Sequence, residues 1–181
     1  MNMNDEKSAL REHYRQMRLE NKENSSFEKV LEIPEIAGSK IIASYYSYGN
    51  EPSTDAINKN LIALGIKLLL PRINGSELEW RFWDGNPLEL EKINGIYEPT
   101  GELLTASSDI DSVIVPALAI DHSGNRLGKG KGFYDRALAS INAFTVALIY
   151  SNEFLSTTLP HESFDIKVKA ALTPKSLHRF S

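Results

Sequence analysis

Polar and apolar positions follow two rhythms along this chain. From Asp5 to Glu20, Leu10, Tyr14 and Met17 recur at three- and four-residue spacing among charges, with His13 beside them. That period predicts an amphipathic helix. Ser25 and Ser26 are placed to cap a second helix through Phe27, Val30 and Leu31. Pro34 stops it, since proline lacks a donor and clashes with the preceding turn. Strands then alternate with helices. Lys40–Tyr46 is β-branched and aromatic, as a strand requires. Asn50–Thr54 reads as a turn, and Asp55–Leu64 as a helix closed by Gly65. Ile66–Leu70 reads as a buried strand ended by Pro71, and Leu78–Trp83 as a loosely alternating one. Asp111–Ile120, with its Ser-Val-Ile-Val run, and Phe144–Tyr150 have the composition of core strands, with a helix over Phe133–Ser140 between them. Gly85–Ser108 has little periodicity and reads as a lid or small lobe. The expected fold class is α/β: a mostly parallel sheet with helices on both faces and ligands at the carboxyl ends of its strands.

Composition narrows the field. With 181 residues, 41% apolar and 24% charged, the chain has the make-up of one globular domain spanning 1–181. The absence of cysteine excludes disulfide scaffolds, thiolate metal sites and a thiol nucleophile. A formal charge of −4 offers duplex nucleic acid no global positive field. No apolar run approaches the roughly 20 residues of a membrane span, and Met1–Arg11 shows no signal-peptide core. The expectation is a cytoplasmic protein without nucleic-acid or membrane partners, monomeric or weakly self-associating.

One segment stands apart. Asp121–Arg136 carries four of the chain's 11 glycines, with Arg126, Lys129, Lys131 and Arg136 among or just after them. It follows an expected strand and opens an expected helix. Glycines let the backbone approach a ligand, successive amides converge on an anion, and a helix start adds unpaired N–H groups. Cationic side chains supply formal charge, so the segment points to phosphate binding. Asp135, one turn beyond Lys131, is placed to hold a magnesium ion bridging to that phosphate. The nucleotide motifs G-x-x-x-x-G-K-S/T and G-x-G-x-x-G are both absent, the latter because Phe133 stands where glycine is needed. No histidine pair has ligand spacing, and no G-x-S-x-G elbow is present. Trp80 and Trp83 read as core packing.

Asn125–Asp135 resembles the signature of 5-formyltetrahydrofolate cyclo-ligases, approximately G-x-R-L-G-x-G-x-G-Y/F-Y-D after a strand ending P-G-L-A-F/V-D; here Pro116–Asp121 fills the latter. Further matches are Lys7 with Arg11, Tyr46 with Glu51 and Thr54, Pro71-Arg72, Glu98-Pro99, and Asp165 with Thr173. Ala117, Phe164 and Pro174 depart from a usual glycine, histidine and acid. The resemblance implies a Rossmann-like, mostly parallel mixed sheet. It also implies ATP- and Mg2+-dependent conversion of 5-formyltetrahydrofolate to 5,10-methenyltetrahydrofolate. Lys7, Arg11, Arg126, Leu127, Gly128, Lys129, Gly130, Lys131, Gly132, Phe133 and Tyr134 would bind ATP. Tyr46, Glu51 and Tyr134 would bind the folate, and Asp135 and Asp165 the metal. Other readings stay open on the residues alone: a phosphosugar isomerase or coenzyme A transferase-like enzyme, or a non-catalytic nucleotide- or RNA-binding module on the same fold.

Overall fold

The computed structural model describes residues 2–21 and 25–181; of the expected span 1–181, Met1 and residues 22–24 lie outside the described residues. Helix α1 (Met3–Glu20) opens on Asn2, whose side chain accepts the Asp5 amide at 2.9 Å. It buries Lys7, Tyr14 and Arg18, with Leu10 and Met17 packed alongside. His13 stays exposed, edge-on to the Tyr14 ring at 5.1 Å. The expected second helix is instead a 3-10 turn, Glu28–Glu32, in which Ser26 Oγ accepts the Glu28 amide at 3.2 Å. Pro34 opens the short helix α2 (Pro34–Ala37) as well as ending what precedes it. At the first helical position its missing donor has no intrahelical partner to lose.

The strands and helices that follow are β1 (Ile41–Ala43), α3 (Asp55–Ala63), β2 (Lys67–Asn74), β3 (Glu77–Phe82), β4 (Leu90–Ile93), β5 (Ile96–Pro99), β6 (Ser112–Pro116), β7 (Ala119–Asp121), β8 (Arg126–Leu127), α4 (Phe133–Ala139), β9 (Phe144–Leu148), β10 (Phe154–Leu155), β11 (Ala170–Leu172) and β12 (Leu177–Arg179). The main sheet runs β12-β11-β9-β6-β1-β2-β3. Its inner five strands are parallel, and β12 and β3 close the edges antiparallel. Successive residues of each strand serve opposite cores, as the two-residue period requires. Ile42, Ile114 and Leu148 pack under α3, α2 and the 3-10 turn with Ile57, Leu61, Ile36 and Val30. Val113, Val115 and Ala147 pack under α4 with Ala137 and Leu138. The expected mixed, mostly parallel α/β sheet with helices on both faces is therefore what forms. Trp80 and Trp83 are core residues.

The strand expected over Asp111–Ile120 divides into β6 and β7, which join different sheets, and three further departures from expectation have local reasons. The first strand stops at Ala43 because the Tyr45 carbonyl is taken by the Thr54 hydroxyl (2.6 Å) and the Asn58 amide (3.0 Å). Strand β2 passes through Pro71, because pairing with β1 ends at Leu69 and only β3 is paired with the strand at the proline. Residues 85–108 hold a 3-10 turn and the β4–β5 hairpin, closed by Asn94-Gly95 with both residues at positive φ. Asn-Gly is the favoured two-residue hairpin turn. Between β6 and α4 the chain also forms a ribbon, β7–β8, joined by β10 in a separate three-stranded sheet.

Candidate active site

Strand β1 lies between β2 on one side and β6 on the other. The chain leaves β1 toward α3 and β2, and leaves β6 toward α4, β9 and β11. The two exits diverge, and open α/β sheets bind ligands in the crevice at such a reversal. Here it is a cavity of about 950 Å³. Its walls come from α1, from residues 45–51 after β1, from β5, from residues 126–136 and from residues 162–165. Every site residue expected from the sequence lines it: Lys7, Arg11, Tyr46, Glu51, the whole run Arg126–Asp135, and Asp165.

Helix α1 is fixed across this cavity by its charged stripe. The Arg18 guanidinium donates to Glu153 Oε1 and Oε2 at 2.6 and 2.9 Å and to the Ala117 carbonyl at 2.6 Å, all in the interior. Arg11 Nε donates to the Gly128 carbonyl at 2.9 Å. Lys7 Nζ donates to Asp165 Oδ2 at 2.5 Å and Glu162 Oε2 at 3.2 Å. Burial pushes the Asp165 carboxyl up, but the Lys7 hydrogen bond and the Glu162 amide outweigh it and hold it below the usual range. A lowered folded-state value adds stability above the unfolded one, about 3.9, and that stability is lost as pH falls through the folded value. Acidification from pH 5 to 3 is therefore expected to weaken the docking of α1. Asp165→Asn should flatten this dependence, which amide hydrogen exchange across residues 3–20 measures against pH.

The glycine loop rests on that helix. Gly130 sits at φ +102° and Gly132 at φ +66°. A side chain at Gly130 would meet the Arg11 guanidinium, and one at Gly132 would lie 2.8 Å from Arg136 Nη1. Gly132→Ala is expected to lose about 1–2 kcal/mol from left-handed backbone strain alone, read as a fall in the denaturation midpoint. The loop's cations are used unequally. Arg126 is held by Asp135 (2.8 Å) and Lys129 by Glu51 (2.5 Å). Lys131 is exposed and takes part in none of the ion pairs found among the described residues. With only seven residues, α4 sums few peptide dipoles, so the loop's own amides and cations dominate the local field.

Aromatic side chains also line the cavity. The Tyr46 ring meets Trp83 edge-on at 5.8 Å and tilts against Tyr97 at 5.4 Å. Tyr134 packs edge-on to Trp80 at 6.1 Å, and its buried hydroxyl has no hydrogen-bond partner among the described residues. Burial, and then the nearby Glu51 charge, push that phenol well above its ordinary value, so it stays a protonated donor. Below the loop, Asp121 is fully buried and accepts from the Ser123, Asn125 and Leu159 amides and from Asn125 Nδ2. It clamps the β7–β8 turn that presents the loop. The sequence reading did not pick out Tyr97, Tyr48, Glu162 or Asp121 for the site. For Tyr97 a signal existed in the Asn94-Gly95 turn flanked by apolar residues.

No group of three or more His, Asp or Glu side chains among the described residues is arranged to hold a metal. Magnesium commonly uses one or two carboxylates and completes its shell with water and phosphate oxygens. Asp135 and Asp165 fit that smaller requirement. The hydrogen bonds to Asp135 fall on Oδ1 and those to Asp165 on Oδ2, so the other oxygen of each carboxylate stands outside these bonds.

The sequence model of the 5-formyltetrahydrofolate cyclo-ligase family matches residues 3–174. This chain belongs to that family. It is 34% identical over 154 residues to the 5-formyltetrahydrofolate cyclo-ligase of Mycolicibacterium smegmatis, covering 77% of this chain and 78% of that one. The cyclo-ligase of Escherichia coli is 27% identical over 157 residues, 82% and 86% of the two chains. Among solved structures, the 5,10-methenyltetrahydrofolate synthetase of Aquifex aeolicus superposes with a TM-score of 0.82 at 30% identity, covering 96% of this chain and 92% of that one. Family membership makes the protein a cyclo-ligase, an enzyme of folate one-carbon chemistry, and sets aside the isomerase, transferase and non-catalytic readings. No helix among the described residues is long and apolar enough to cross a membrane.

Proposed function

We propose that this cyclo-ligase closes 5-formyltetrahydrofolate to 5,10-methenyltetrahydrofolate at the expense of ATP, releasing ADP and phosphate, with magnesium as cofactor. The observation that carries the reading is one cavity lined both by the cationic glycine loop and by the aromatic side chains of Tyr46, Tyr97 and Tyr134. A formyl amide is a poor electrophile, because its nitrogen donates into the carbonyl. Transfer of the γ-phosphoryl group to the formyl oxygen makes the carbon electrophilic and supplies a leaving group. N10 of the same folate attacks and gives its proton to the departing phosphate, whose loss leaves the methenyl bridge.

The protein's share is positioning and charge neutralisation. The Gly128–Gly132 amides, Lys131 and Arg11 cradle the triphosphate. Lys7 holds Asp165 in place. The Tyr46–Tyr97 pair packs against one side of the pterin, Glu51 accepts from its N–H groups, and the Tyr134 hydroxyl donates to a ligand oxygen. Asp135 and Asp165 hold magnesium, which when bound neutralises charge on the phosphates. The β4–β5 hairpin serves as a small cover carrying Tyr97.

The test is direct. Purified protein mixed with 5-formyltetrahydrofolate and Mg-ATP should generate the near-ultraviolet methenyl chromophore; no product at any magnesium concentration would reject the reading. Asp135→Asn is expected to raise the magnesium needed for half-maximal rate about 10- to 100-fold, the scale seen when a metal's immediate surroundings are altered. Unchanged metal dependence would remove Asp135 from the ligand set.

A further inference from the structure

A cation of the loop expected to hold ATP and the carboxylate proposed to hold the pterin are bonded to each other. Lys129 Nζ lies 2.5 Å from Glu51 Oε1, and the Glu51 side chain is only 7% exposed. Glu51 Oε2 accepts the Tyr48 amide at 3.0 Å, and the Lys129 ammonium sits 3.8 Å from the centroid of the Tyr48 ring. Tyr48, a residue without a role in the proposed chemistry, thus supports both partners of the pair. The bond joins the glycine loop to the turn after β1, the two walls of the cavity.

From this geometry we propose that Tyr48, Glu51 and Lys129 form a latch that makes nucleotide and folate bind with positive cooperativity. The inference rests on the two-ligand reading above. When phosphate draws Lys129 away, Glu51 is left as a buried carboxylate with one amide hydrogen bond, an unfavourable state. A pterin presenting N–H donors relieves it. When the pterin arrives first, Lys129 loses its counter-charge and a triphosphate relieves that. Each ligand alone must break the latch, and the second binds to a protein in which it is already broken. Linkage makes the effect reciprocal, at a typical size of about 5- to 150-fold.

Calorimetric titration of the intact protein tests this with a nonhydrolysable ATP analogue and magnesium, alone and with saturating 5-formyltetrahydrofolate. The folate should lower the analogue's Kd at least about fivefold. Glu51→Gln should tighten the analogue in the absence of folate and bring the folate effect close to one. Tyr48→Leu moves no charge and lies at a partly exposed position. It should shift both quantities the same way, which separates a released ammonium from reduced repulsion. Equal Kd values with and without folate in the parent protein would overturn the latch, as would an unchanged or weaker analogue affinity in both variants. If either ligand fails to bind the parent protein at all, the two-ligand reading fails with it.

Discussion

Replacing Lys131 by alanine is expected to lower kcat/KM for ATP by about 10²–10³-fold, the loss typical when one group that stabilises developing charge is removed. Most of the cavity's cations are already committed within the protein. Lys7 is held by Asp165 and Glu162, Arg126 by Asp135, Lys129 by Glu51 and Arg18 by Glu153. Arg11 spends Nε on the Gly128 carbonyl. Lys131 sits between Gly130 and Gly132, exposed and outside all of these pairs. Its charge is available to a phosphate without first breaking a bond inside the protein. The side chain is on the surface of the loop, so its truncation should leave the unfolding temperature close to that of the parent. Steady-state kinetics of methenyl formation with ATP varied at saturating folate give the ratio, and kinetics equal to the parent's would show that the loop does not cradle the triphosphate.

The largest stability effect is expected at the opposite end of α1. Arg18 and Glu153 are 6% and 1% exposed, so neither charge has water to fall back on. Arg18 also donates to the Ala117 carbonyl, and Glu153 accepts the Tyr150 amide. Removing one partner strands the other in the interior. Glu153→Ala is expected to lose about 3–5 kcal/mol, a fall in unfolding temperature of roughly 6–20 °C for a chain of this size. Replacing both, as Arg18→Met with Glu153→Leu, should recover much of the loss, because a buried ion pair gains little over apolar groups of similar volume. Thermal unfolding of the three variants decides it. A loss below about 1 kcal/mol in the single variant would mean that the pair is solvated and that α1 is anchored elsewhere.

These expectations differ in how far the chain announces them. The sheet is legible because Ser112–Pro116 and Phe144–Leu148 are short apolar runs that only a strand buried on both faces requires. The glycine loop is legible because Gly-Lys-Gly-Lys-Gly lies between an expected strand and an expected helix, where backbone amides can meet an anion. Lys7 and Arg11 are harder. A charged pair four residues apart usually marks a solvated helix face, and only the family resemblance moves it inward. Arg18 gives no local sign at all, because its partner Glu153 is 135 positions away. The Tyr45–Thr54 turn hides for a similar reason: its strand-like composition is overruled by side chains, Thr54 and Asn58, that claim the backbone carbonyl. Local pattern thus reports the elements and the loop chemistry. The charged contacts that seat α1 on the loop arise only when distant segments meet.

The proposed reaction requires that the amides and cations of residues 126–134, with Lys7 and Arg11 behind them, clasp a triphosphate beside a reduced pteridine. A crystal structure of the protein with a nonhydrolysable ATP analogue, magnesium and 5-formyltetrahydrofolate tests it most directly. The expected result is β- and γ-phosphates on the Gly128–Gly132 amides and Lys131, with the pterin against the Tyr46–Tyr97 pair. A nucleotide bound elsewhere, or a pterin outside the cavity, would contradict it.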